Sequence, residues 1–211
     1  MSLFLDIGEG AGLSGATGVR PFLPPLLAGA LARGDHGIDF SGSKFHFLES
    51  TWFLLTVLVL AVIAYGLERR EGPPEQTGPG AAADPTRTGR VAADVLERLL
   101  LLVALVLGAL LFAGTLAGDG QTSWWGIVAG VACAALGYLA VAVLFARARR
   151  RLTGGAAALI NAYADAIALG LAGLSIAVPV LGFAALAAFV FLIVRSRGQA
   201  GRKYQGLRIL R

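Results

Sequence analysis

Charge is what this chain has least of. Asp, Glu, Lys and Arg together make up only 15% of its 211 residues, against 56% hydrophobic residues and a mean hydropathy of +0.73. Soluble domains usually carry about a quarter charged residues, so the composition points away from one. Cysteine is nearly missing as well. Cys133 stands alone, which excludes an internal disulfide and a cysteine-based metal framework. Inside an apolar run it reads as a small packing residue. The two histidines, His36 and His46, lie near Asp35 and Asp39 without compact ligand spacing, so no metal and no cofactor are expected.

The net charge of +5 would suit a nucleic-acid partner, but the basic residues collect at the ends of apolar runs. Nucleic acid is therefore not expected. The apolar residues dominate by their arrangement. Ser50–Leu67, Leu99–Gly118, Gln121–Ala146 and Ala166–Val194 contain no charged residue. Runs of about 18 or more such residues read as membrane-spanning helices. The expectation is an all-α, polytopic transmembrane helical bundle of about six segments forming one domain over residues 1–211. The segments are a broken first helix within Leu3–Ala32, then Leu48–Leu67, Val91–Ala117, Trp124–Ala146, and two helices sharing Leu152–Val194. A Pro/Gly break near Pro179 and Gly182 would divide the last pair.

Arginines set the expected orientation. They crowd the segment after the second helix (Arg69, Arg70, Arg87, Arg90), the loop after the fourth (Arg147, Arg149, Arg150, Arg151) and the tail. The positive-inside rule places these in the cytoplasm, together with both termini. Residues 68–90, rich in Gly, Pro and Ala, read as a mobile cytoplasmic linker. Residues 195–211 read as a basic tail attracted to anionic membrane lipids. Trp124 and Trp125 look like an aromatic anchor at the outer interface. The N-terminus lacks a positive region before its apolar residues, which argues against a cleaved signal peptide.

Two charges fall where they are costly. Arg20 interrupts an apolar, proline-rich stretch, and Asp165 interrupts the run from Leu152 to Val194. Ionisable groups inside membrane segments are functional candidates by default. Counted at about 1.5 Å per residue from the segment ends, both lie roughly 20 Å deep, so each is the other's expected partner. Asp6 and Glu9 are the competing partners for Arg20. Asn161 shares a helix face with Asp165, and Tyr163 and Thr17 complete the expected pathway residues. Pro21, Pro24 and Pro25 break the first helix and free carbonyls that Arg20 could brace instead. The glycines at 8, 10, 12, 15 and 18 lack the strand and Gly-Lys-Ser/Thr ending of a phosphate loop. They read as small packing residues. No nucleophile elbow, zinc-helix signature or paired carboxylate site is visible, so no enzyme is expected.

The run Gly15-Ala-Thr-Gly-Val-Arg20-Pro-Phe-Leu-Pro24, with Asn161-Ala-Tyr-Ala-Asp165 and Lys203-Tyr-Gln-Gly-Leu-Arg-Ile-Leu-Arg211, resembles a bacterial membrane family, the domain-of-unknown-function 4126 family. The resemblance implies a compact multi-helix membrane protein of the bacterial cytoplasmic (inner) membrane and supplies no established activity. The leading functional expectation is transport or conduction of a small ion or anionic solute through a midplane site at Arg20 and Asp165. The rivals are a lipid-phosphate carrier and a non-transporting membrane scaffold with a structural ion pair. A homo-oligomer is compatible with each.

Overall fold

The computed structural model describes residues 3–34, 37–38, 40, 43–70, 87–117, 123–149 and 156–202. They form seven α-helices: α1 (Leu3–Val19), α2 (Leu23–Arg33), α3 (Thr51–Arg70), α4 (Arg87–Ala117), α5 (Ser123–Arg149), α6 (Ala156–Ala177) and α7 (Val180–Arg202). A single 3-10 turn, His46–Glu49, leads into α3.

α1 is the centre of the bundle and packs on α2, α4, α5, α6 and α7. Its five inner glycines would cost a free helix up to about 1 kcal/mol each relative to alanine. The bundle offsets this by bringing neighbouring helices against the bare backbone. A Cβ at Gly12 would overlap Ser175 of α6, and one at Gly18 would overlap the Ala134 carbonyl of α5. From the other side, a Cβ at Gly182 of α7 would overlap the Gly8 carbonyl. Close helix approach through small residues accounts for this stretch.

The chain turns immediately after α1. The Arg20 N–H closes the last turn on the Ala16 carbonyl at 3.0 Å, and Pro21 cannot continue the helix. Pro24 and Pro25 fall in the first turn of α2, where no intrahelical N–H bond is required. α2 then folds back along α1, so that Ala28 and Ala32 share a core cluster with Leu13, Phe40, Leu48 and Leu111. The break between α6 and α7 falls at Val178 and Pro179.

Six membrane segments are not what the structure contains. Among the described residues, two helices are long and apolar enough to cross a membrane: Val95–Ala117, with mean hydropathy 2.7, and Trp124–Leu144, with 2.4. Such a test is also passed by core helices, and 56% of the first span's best window is buried inside the bundle. The apolar parts of α3, α6 and α7 are at most 17 residues long, about 25 Å of helix at 1.5 Å per residue. That falls short of the roughly 30 Å hydrocarbon thickness. The first segment divides at Pro21 into helices of 17 and 11 residues. Counting charge-free runs therefore overestimated the spans, because turns cut some runs and charge-free length is not helical length.

The correction removes the basis for a multi-pass inner-membrane location with both termini cytoplasmic, since that orientation was counted across six spans. It also removes the basis for membrane lipids, small ions or anionic solutes as partners, and for a membrane homo-oligomer. Much of the expected linker, 71–86, and the end of the tail, 203–211, lie outside the described residues, as do Asp35, His36 and Asp39. Trp124 and Trp125 are both exposed and lie against each other with ring centroids 3.8 Å apart.

The glycine contacts are directly testable. A Cβ at Gly137 would run into the Gly15 carbonyl, which belongs to a helix that cannot retreat, whereas a Cβ at Gly66 meets nothing within 4 Å. Gly137→Ala is expected to cost about 1–3 kcal/mol by overpacking. Gly66→Ala is expected to be neutral or to stabilise by up to about 1 kcal/mol. Equal thermal midpoints for the two variants would contradict the packing described.

Candidate functional site

The turn between α1 and α2 presents Arg20, and the fold brings three other helical residues to it. The Arg20 Nε lies 2.6 Å from Asp165 Oδ1 of α6. The Tyr65 hydroxyl of α3 donates to the same Oδ1 at 2.8 Å. A second guanidinium nitrogen of Arg20, Nη2, donates to the Asn161 carbonyl at 3.3 Å. The guanidinium carbon also stands 5.5 Å from the centre of the Tyr65 ring, close enough for a cation–π contact. Asn161 thus serves through its backbone, and its position one turn before Asp165 places both groups towards Arg20.

The pair is screened from water unequally. The Arg20 side chain is 12% exposed and that of Asp165 is 29%. A cavity of ≈ 20 Å³ lies beside Arg20, lined by Pro21, Phe22, Ala64, Tyr65 and Leu100. This is about the volume one water needs. A second polar contact lies between α4 and α5, where the Tyr138 hydroxyl donates to Glu97 at 2.7 Å.

Sequence-expected residues distribute as follows. Arg20 and Asp165 meet, and Asn161 joins them by its carbonyl. Thr17 does not: it is fully buried and its hydroxyl donates to the Leu13 carbonyl of its own helix at 2.8 Å. Tyr163 points outward and is 69% exposed. Asp6 and Glu9, the competing partners for Arg20, are buried in the first half of α1. They are 14 and 11 residues from Arg20, roughly 16–21 Å along the helix. Tyr65 was missed. Its only signal was a hydroxyl within a charge-free run, which does not reveal which helix it faces.

The transporter expectation is corrected here. With two candidate spans there is no polytopic frame for a midplane pathway, and the space beside Arg20 has room for a water rather than a solute. The lipid-phosphate carrier and the membrane scaffold rested on the same six-span frame and fall with it. Among the described residues no group of three or more His, Cys, Asp or Glu is placed to hold a metal. No family model, curated protein or solved structure matches this chain.

The geometry makes Tyr65 a contributor to the pair rather than a bystander. Hydrogen bonds to charged groups are worth about 1.5–3 kcal/mol when buried, and the partial exposure of Asp165 reduces this. Tyr65→Phe is expected to cost about 1 kcal/mol in denaturant unfolding. A variant as stable as the parent would show that the hydroxyl contact contributes nothing.

Proposed function

We propose that this chain is a non-enzymatic helical-bundle protein whose Arg20–Asp165 pair acts as a latch. It ties the α1–α2 turn to α6 and, through Tyr65, to α3. The observation that carries this reading is the convergence of the Arg20 Nε and the Tyr65 hydroxyl on one carboxylate oxygen, Asp165 Oδ1. Both groups come from elements distant in sequence from α6. α1 is held by backbone-to-backbone packing along its length, whereas α3 packs mainly on α2 and the 3-10 turn. The Tyr65–Asp165 hydrogen bond thus supplies a directional link where the packing of α3 is sparse, and directionality is what apolar contacts lack.

Catalysis is not part of this reading. The Tyr65 hydroxyl and the Arg20 ion pair already engage Asp165 Oδ1, and among the described residues no serine, cysteine or histidine is placed in the cluster. Membership of the domain-of-unknown-function 4126 family is proposed with it. The Gly18-x-Arg20-x-Phe22-Leu23-Pro24 run supports it, since that run holds both the latch arginine and the turn it sits on.

A double-mutant cycle tests the latch. Arg20→Ala and Asp165→Ala are each expected to lower stability by about 2 kcal/mol. This is below the 3–5 kcal/mol of a fully buried pair, because water reaches Asp165. The double variant is expected to lose less than the sum, with a coupling of about 1–3 kcal/mol. Strict additivity, or single variants as stable as the parent, would remove the latch reading.

A further inference from the structure

The latch leaves unused a second polar group in α1, at its opposite end. Glu9 is 4% exposed and Asp6, one turn earlier, is 7% exposed. Residues three apart on a helix are surface neighbours, so the two carboxyl groups share a face. Glu9 Oε1 is wholly buried and has no hydrogen-bond partner among the described residues. An ionised carboxylate so placed would bear a desolvation cost that only a partner of opposite charge, or a proton, could relieve.

Among the described residues no cation is set against the Glu9 carboxyl. Gly8 and Gly10, which flank Glu9, pack on Pro179 and Phe183 of the α6–α7 turn and α7, and on Phe112 and Thr115 of α4. Of the described ionisable side chains of the helices packed on α1, Cys133 of α5 clusters with Ile7 and Ala11 and carries no positive charge, and the others lie elsewhere. Asp165 of α6 and Glu97 and Arg98 of α4 belong to the Arg20 end, as does Tyr138 of α5, whose backbone faces Gly18. Arg195 lies near the far end of α7. Arg33 of α2 donates to Thr51. In the segment between α2 and α3, Lys44 and His46 are exposed and Glu49 accepts the Phe40 N–H at 2.6 Å.

We propose that the Glu9 carboxyl is a buried proton-binding site, which takes up one proton from solvent and holds it through neutral pH. The step is simple: a carboxylate oxygen of Glu9 binds a proton, and one negative charge is removed from the α1 core. Burial first, and the neighbouring Asp6 charge second, raise the Glu9 carboxyl from 4.5 to about 8. The sign follows. The folded chain holds this proton more tightly than the unfolded chain, so the stabilisation is complete below about pH 4.5 and is lost as pH rises through about 8. Release of the proton leaves charge in the first half of α1, while the Arg20 latch grips its other end. The bundle thereby acquires a pH-responsive segment confined to one end of its central helix.

Unfolding of the full chain between pH 5 and 9, compared with Glu9→Gln, tests the site. Glu9→Gln keeps the shape and removes the titration. The ratio of parent to variant unfolding constants is expected to rise about tenfold per pH unit over the interval between the two pKa values, then level off above pH 8. Infrared titration of the parent chain gives an independent reading: a protonated-carboxyl band persisting at pH 7 and falling by half near pH 8. Asp6→Asn is expected to shift that loss to lower pH, since the Coulombic push of Asp6 on Glu9 is removed. Should Glu9→Gln not fold, Glu9→Asp assigns the band by moving it. Parallel pH profiles for parent and Glu9→Gln, or no protonated-carboxyl band at pH 7, would overturn the proposal.

Discussion

Backbone contact around α1 is the constraint on which the bundle depends. Five glycines in a 17-residue helix remove the side chains that would hold neighbours at ordinary interhelical distance. α4, α5, α6 and α7 therefore close on α1 to the point where a single added methyl group would overlap backbone at several positions. Dispersion grows steeply at such distances, and many small contacts replace a few large ones. The same closeness leaves little space for ordered solvent, which is why polar groups on α1 must be matched inside the protein.

Those groups are matched in different ways. Ser14 donates to the Gly108 carbonyl of α4 at 2.6 Å, and Thr17 donates to its own helix. Arg20, at the exit of α1, meets a carboxylate and a carbonyl from α6. Glu9 Oε1 meets no hydrogen-bond donor among the described residues. A single helix thus carries a satisfied charge at one end and a group that is relieved by a proton at the other. The apolar stretch around Leu13 and Ala16, both wholly buried, separates them.

The outer helices show the opposite balance. Trp52, Val62, Ile167 and Phe191 are all more than half exposed, and their helices hold the bundle chiefly by their inner faces. Apolar surface of this kind is characteristic of contact regions. It explains why charge-free runs were so prominent in the sequence while, among the described residues, two helices met the combined length and hydropathy needed for a span. A run records what is missing from a stretch, whereas a span also requires uninterrupted helix.

Helical class, the break before Pro21 and the turn near Pro179 were legible in the sequence because they follow from local rules. Proline lacks an N–H wherever it stands, and glycine lacks a Cβ whatever surrounds it. Arg20 and Asp165 stood out for the same reason, as charges set in apolar surroundings. Only tertiary structure decided what they met. Tyr65 joins them from α3 across 100 residues, Asn161 lends a carbonyl that every residue possesses, and Thr17 and Tyr163 turn away. The number of spans was likewise beyond local reading, since it depends on where turns cut the runs. The fate of Glu9 shows the division most clearly: composition marks an acid in a glycine-rich helix, but its burial, and hence its affinity for a proton, is set by the elements packed on the first half of α1.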